Sequence, residues 1–137
     1  MRILQPPGWA APKGYANGIA ARGTFVAIGG QIGWNAEQRF ESDDFVAQSR
    51  QALANIVAVL REAGGRPEHI VRMTWYVVDR DEYLGALREL GAAYRDTIGR
   101  HYPAMTAVEV GALMEARARV EIEATAVVPE EAIGDRR

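Results

Sequence analysis

Residues 119–127 read RVEIEATAV, and apolar and polar side chains alternate along them almost without a break. On a strand, Val120, Ile122, Ala124 and Ala126 share one side, and Glu121, Glu123 and Thr125 share the other. The first set has the character of an inner sheet face, so another layer must lie over it. The second set raises a functional question. Either these glutamates face bulk water, or they face something that uses a carboxylate.

Two segments upstream have the period needed to cover the inner face. Phe45, Ser49, Ala52, Leu53, Ile56 and Leu60 recur at helical spacing. Ser42 is the expected N-cap, Asp43 and Asp44 sit favourably against the helix dipole, and Gly64-Gly65 stops the segment. A second helix is expected to open at Asp79-Arg-Asp-Glu82, which resembles a capping box. Its apolar face runs through Leu84, Leu87, Leu90 or Gly91, Tyr94 and Ile98.

Strands are expected in 15–21, in TFVAIGG, in HIVRMTWYVVD, in AMTAVEV and in RVEIEATAVV. The arm at 1–14, rich in Pro and Gly, reads as extended, IGWNAEQRFES as a loop and 130–137 as a loose tail. The order β-β-α-β-α-β-β predicts one α+β domain over 1–137, with a core at about 10–129 and both helices on one face of a mixed sheet. The other face is left uncovered. Met105, Ala107 and Glu109 are expected there beside Glu121, Glu123 and Thr125, a mixture that suits a partly wet oligomer interface.

Composition narrows the function. The chain has 137 residues, 48% hydrophobic and 25% charged, with a net charge of −2. That is an ordinary globular composition without the basic excess of nucleic-acid binders. Cysteine is absent, which removes disulfides, thiolate ligands and a cysteine nucleophile. The beginning of the chain lacks the apolar core of a signal peptide, and no apolar run approaches the ~20 residues of a membrane span. A cytoplasmic protein with no nucleic-acid or membrane partner is expected.

Few residues suggest chemistry. His69 and His101 do not have metal-ligand spacing, and no metal or other cofactor is expected. The serines Ser42 and Ser49 lie in no nucleophile motif, and GGQIG is not a nucleotide cradle. His101, beside Tyr102-Pro103, reads more readily as a structural helix-end residue than as a catalyst. Three features remain: Tyr15 between glycines in KGYANG, the Gly29-Gly30-Gln31 strand end, and Glu121. Each also has a bland reading, as a packed ring, a tight turn or a solvated charge.

Together these pieces resemble the Rid family, also written YjgF/YER057c/UK114. The marks are KGYANG, I-G-G-Q-I at 28–32, QSRQALANIVAVLREAGG, YPAMTAVEV at 102–110 and VEIEATAVV at 120–128. The resemblance implies a chorismate-mutase-like fold and a homotrimer whose sheets form a barrel, with small-molecule clefts between subunits. It also implies hydrolysis of reactive imines or enamines to a carbonyl compound and ammonia, a deaminase chemistry that needs a carboxylate and a held water rather than a metal.

On this resemblance Glu121 corresponds to the catalytic glutamate and Tyr15 to the tyrosine lining the cleft. Gly30, where the deaminases commonly have serine, Gln31, Met105 and Ala107 would contact substrate. Trp34 and Trp75 are further candidates for a more apolar cleft. The departure is Met105, since the deaminating members read P-A-R-[ST] where this chain has Pro103-Ala104-Met105-Thr106. Methionine cannot grip a carboxylate. At the position of a family asparagine the chain offers Arg88 or Glu89, and the alternative cations for the lost grip are Arg88, Arg117 or Arg119. Arg119 is expected on the same side as Glu121. The substrate expected is therefore an imine other than the simple 2-imino acids, the alternative being a trimer that binds a small metabolite without turnover. The endoribonuclease label carried by some members fits the acidic composition poorly.

Overall fold

A computed structural model describes residues 1–131. In chain order its elements are β1 (Arg2–Leu4), β2 (Gly18–Ala20), β3 (Thr24–Ile32), α1 (Phe45–Glu62), β4 (Ile70–Val77), α2 (Arg80–Gly85), α3 (Leu87–Thr97), β5 (Ala104–Glu109) and β6 (Val120–Val128). A 3-10 turn at Pro67–His69 precedes β4. Four strands form one mixed sheet in the order β3-β6-β4-β5, in which only β4 and β5 run parallel. A parallel pair needs a crossover, and α2 and α3 supply it.

The alternation in β6 becomes burial residue by residue. Val120, Ile122, Ala124, Ala126 and Val128 are buried, while Glu121, Glu123, Thr125 and Val127 are partly exposed. The buried set packs with α1, α3 and β4 in one core that includes Leu53, Ile56, Leu60, Met73, Leu90 and Tyr94. Both long helices therefore cover one face of the sheet.

Every apolar-stripe residue read for α1 is buried, joined by Gln48 and Val57. Its N-cap is Asp44 rather than Ser42. The Asp44 carboxylate accepts the Ala47 N–H at 2.9 Å, and Ser42 Oγ accepts the Asp44 N–H at 3.0 Å one turn outside. The second helix is interrupted at Ala86, giving α2 and α3. Asp79 caps α2 by accepting the Glu82 N–H at 3.1 Å. The Glu82 carboxylate is engaged by Arg119. After the break Leu90, Tyr94 and Ile98 are buried, but Leu84 and Leu87 are exposed.

The face assigned to β5 has to be corrected. Met105 lies beside Met73, Ala107 beside Trp75 and Glu109 beside Val77, all three partners being buried under the helices. Met105, Ala107 and Glu109 thus belong to the helix side. The uncovered side carries Thr106 and Val108 with Thr74, Tyr76, Glu121 and Glu123. Strand alternation separates two sets of residues, but inter-strand register decides which set faces which layer. The arm also differs from expectation, because β1 pairs antiparallel with β2 at Arg2↔Ala20 and Leu4↔Gly18. The expected loose tail lies, from residue 132 onward, outside the described residues.

Candidate functional site

A cleft of about 350 Å³ opens between the edge strand β5 and the α2–α3 segment. The arm forms one wall. The Ala16 N–H donates to Pro103 O at 3.0 Å and Ala16 bridges Ala104, so KGYANG is laid against the start of β5. Gly14, at φ +75°, makes the bend that presents Lys13 and Tyr15 to the cleft. Tyr83, Leu87, Leu90, Gly91 and Tyr94 form the helical wall; Trp75, Tyr102, Met105 and Ala107 form the other.

The rings of Tyr94 and Tyr102 stack at 5.5 Å between centroids. The Tyr94 hydroxyl donates to His101 O at 2.5 Å, and burial together with Tyr102 raises its pKa well above the usual phenol value. His101 Nε2 lies 2.6 Å from Ile70 O, which makes that nitrogen the protonated one. His101 is thus structural, tying the end of α3 to β4.

A second locus lies on the uncovered sheet face. The pairing of β3 with β6 shifts register between Ile28 and Gln31, so Gly29-Gly30 forms a bulge beside Glu121. A Cβ on Gly30 would stand 2.0 Å from Glu121 Oε2, so glycine is what lets the carboxylate lie there. Glu123 accepts the Tyr76 hydroxyl at 2.6 Å, and that bond holds the Tyr76 phenol above its usual pKa. Among the described residues Glu121 has neither an ion-pair nor a side-chain hydrogen-bond partner. Gln31 turns back to donate to Gly29 O at 3.1 Å.

The residues singled out from the sequence therefore fall into separate groups within one chain. Tyr15, Met105 and Ala107 line the cleft, with Trp75. Gly30, Gln31 and Glu121 lie at the bulge on the uncovered face. Trp34 stands apart, 5.9 Å from Phe40, with Arg117 stacked over that ring.

The cations considered as replacements are placed elsewhere. Arg119 forms a two-pronged pair with Glu82 at 2.8–3.0 Å, which raises its pKa, and does not project beside Glu121. Arg117 pairs with Asp43 at 2.9 Å. Arg88 and Glu89 are exposed, and the cleft wall is made by their neighbours Leu87, Leu90 and Gly91.

Gln48 was not anticipated. It is buried, donates to Ser42 O and Arg117 O at 3.0 Å each, and accepts the Arg119 N–H at 2.8 Å. These three bonds hold the loop that enters β6, two residues before Glu121. The available signal was a polar residue inside the apolar stripe of α1. Among the described residues no cluster of metal-binding side chains occurs, and no helix is long and apolar enough to cross a membrane.

A sequence profile of the family described as Endoribonuclease L-PSP matches residues 8–128. The chain belongs to the Rid family. A RutC family protein of Aquifex aeolicus is 34% identical over 129 residues, covering 93% of this chain and 99% of that one. The 2-iminobutanoate/2-iminopropanoate deaminase of Escherichia coli is 32% identical over 121 residues, covering 86% and 90%. Among solved structures, the Rid-family protein YyfB of Yersinia pestis, of unknown function, gives a TM-score of 0.81 at 32% identity over 93% of this chain and 98% of that one. The α+β architecture with its mixed sheet is that of Rid-family structures.

Proposed function

We propose that this Rid-family chain is a metal-independent imine or enamine hydrolase, working at clefts between the subunits of a homotrimer on substrates other than the simple 2-imino acids. The observation that carries the reading is Glu121. Its carboxylate rests over Gly30 on the sheet face turned away from the helices and, among the described residues, has no side-chain partner. The apolar cleft with Tyr15 and Met105 lies on the helix side of the same sheet. One chain cannot bring these halves together, whereas a closed ring repeats one heterologous contact at every interface. Glu121 of one subunit then faces the cleft of the next.

Hydrolysis proceeds by protonation of the imine nitrogen and addition of water to the adjacent carbon, followed by collapse to a carbonyl compound and ammonia. Glu121 takes the proton from the attacking water and returns it to the departing nitrogen, as general base and then general acid. Tyr15 lines the cleft, and Gly30 leaves the carboxylate room and a nearby backbone N–H. Met105 supplies packing surface where an arginine would grip a carboxylate, so small imino acids lack their anchor. The relative named as a 2-iminobutanoate/2-iminopropanoate deaminase supports the reaction class.

Light scattering should give about three times the 15.0 kDa of the chain. A bulky imine, such as the one an oxidase releases in situ from phenylalanine, should be turned over by wild type and not by Glu121→Ala. Co-assembly of Glu121→Ala with the cleft-blocked Gly91→Trp should restore part of the activity, because some interfaces then carry an intact half from each subunit. A monomer, or no restoration, would remove the intersubunit site. Ligand binding unchanged in Glu121→Ala and no turnover in wild type would instead favour a metabolite-binding trimer.

A further inference from the structure

Two carboxylates stand on the uncovered face of β6, and they are drawn to opposite flanks of that strand. Glu121 leans toward β3, where its Oε2 lies over Gly30. Glu123 leans toward β4, where it accepts the Tyr76 hydroxyl at 2.6 Å. In register, Tyr76 is the cross-strand partner of Glu121, and Thr74 is the partner of Glu123. The phenol therefore passes diagonally from beside one glutamate to bond the other, a reach that a long aromatic side chain has on a sheet face.

The reach matters because the two glutamates are near neighbours. Residues i and i+2 of a strand share one face roughly 6.5 Å apart. Like charges so placed disfavour one another's ionised form. Few other groups on this face can hold Glu123. The helices pack on the opposite face. On β3 no side chain is titratable, and β4 carries only Arg72 and Tyr76. Arg72 borders the same hollow as Glu123 but forms no ion pair among the described residues. From β5 this face receives Thr106 and Val108, and Arg119, at the entry to β6, is drawn off by Glu82. Among the described residues Tyr76 is thus the one side chain that bonds Glu123.

We propose that Tyr76 is a positioning residue for the acid–base step: its hydroxyl holds the Glu123 carboxylate against β4 and leaves Glu121 as the one carboxylate of this face free to take and return a proton. The inference rests on the hydrolase reading for its catalytic meaning, whereas the separation of the two carboxylates stands without it. Tyr76 acts through Glu123. A hydroxyl donating to a carboxylate makes a short, charge-assisted bond that fixes the acceptor in place. The same bond is the main cause that raises the pKa of the Tyr76 phenol, so the donor keeps its proton. Without it the Glu123 carboxylate can swing along β6 toward Glu121, and the two then share a proton in acid.

The test is Tyr76→Phe, which removes one oxygen and keeps the ring. Turnover of the imine released from phenylalanine by an excess of oxidase would be followed against pH. The acid limb should move up by on the order of one pH unit relative to wild type, because Glu121 must be ionised to accept the water proton. Above that limb the rate should return close to the wild-type plateau, which a merely distorted site would not allow. In the Glu123→Gln background Tyr76→Phe should move the limb no further, since the second charge is gone. The carboxyl 13C signal of Glu121, assigned by its loss in Glu121→Gln, makes the same comparison without turnover. It should take up its proton at higher pH in Tyr76→Phe than in wild type. In an active protein an unmoved acid limb would overturn the inference, as would an unmoved Glu121 signal in any case or an equal move in the Glu123→Gln background. A wild type that turns over no imine while the Glu121 signal moves as stated would sink the hydrolase reading and leave Tyr76 as the residue that keeps the two carboxylates apart.

Discussion

Gly30→Ala isolates the role of the Glu121 carboxylate from the stability of the fold. The new Cβ would stand 2.0 Å from Glu121 Oε2, 2.8 Å from Cδ and 3.0 Å from Cγ. Ordinary contact begins at 3.4 Å, so Oε2 must retreat by roughly 1.4 Å. Its φ lies outside the left-handed region, so alanine is compatible with the backbone. Alanine should recover part of the ~0.5–1 kcal/mol that glycine costs in a strand. Moving the flexible end of Glu121 off its rotamer costs about 0.5–1.5 kcal/mol, and the two effects nearly cancel. Thermal unfolding should therefore stay within a few degrees of wild type. Displacing a catalytic group by about 1 Å costs on the order of 100-fold in rate, and this is the loss expected in turnover of oxidase-generated imines. Glu121→Ala removes the clash and the acid–base group together. Gly30→Ala added to Glu121→Ala should then cause almost no further loss, a strong departure from additivity. Wild-type turnover in Gly30→Ala, or a full additional loss in the double variant, would refute the argument that Gly30 acts by making room for Glu121.

Other perturbations test the supports of the site. Gln48→Leu leaves Ser42 O, Arg117 O and the Arg119 N–H without their partner. At about 1 kcal/mol for each lost bond, urea unfolding should show a loss of roughly 3 kcal/mol. His69 is buried and its Nδ1 accepts the Arg66 N–H at 3.0 Å, and burial is the main cause that lowers its pKa, with Glu68 opposing. The unfolded chain binds that proton more readily, so the contribution is fully present above about pH 6.5 and is lost as pH falls through the lower folded-state pKa. Urea midpoints measured across this interval should decline toward acid in wild type and flatten in His69→Asn. Met105→Arg should gain turnover of 2-iminopropanoate over wild type, and robust wild-type turnover of that compound would show that the missing arginine matters little.

How much was legible in the sequence follows from which interactions are local. The α1 stripe and the β6 alternation depend on the period of one segment against one apolar layer, and both appear in the structure as read. The motif text was likewise sufficient for the family. The face of β5 was not legible, because Met105 joins the helix side only through its pairing with Met73, 32 positions earlier in the chain, and that register is a tertiary fact. The same holds for Arg119. Alternation alone aims it beside Glu121, yet Glu82 from α2 draws its guanidinium away. The sequence by itself determined an α+β chain with helices over one sheet face, together with its family. Only the tertiary structure decided that Tyr15 and Met105 stand on one side of the sheet and Glu121 and Gly30 on the other. Hydrogen-bond register between distant strands, which no local period encodes, is the physical reason for that division.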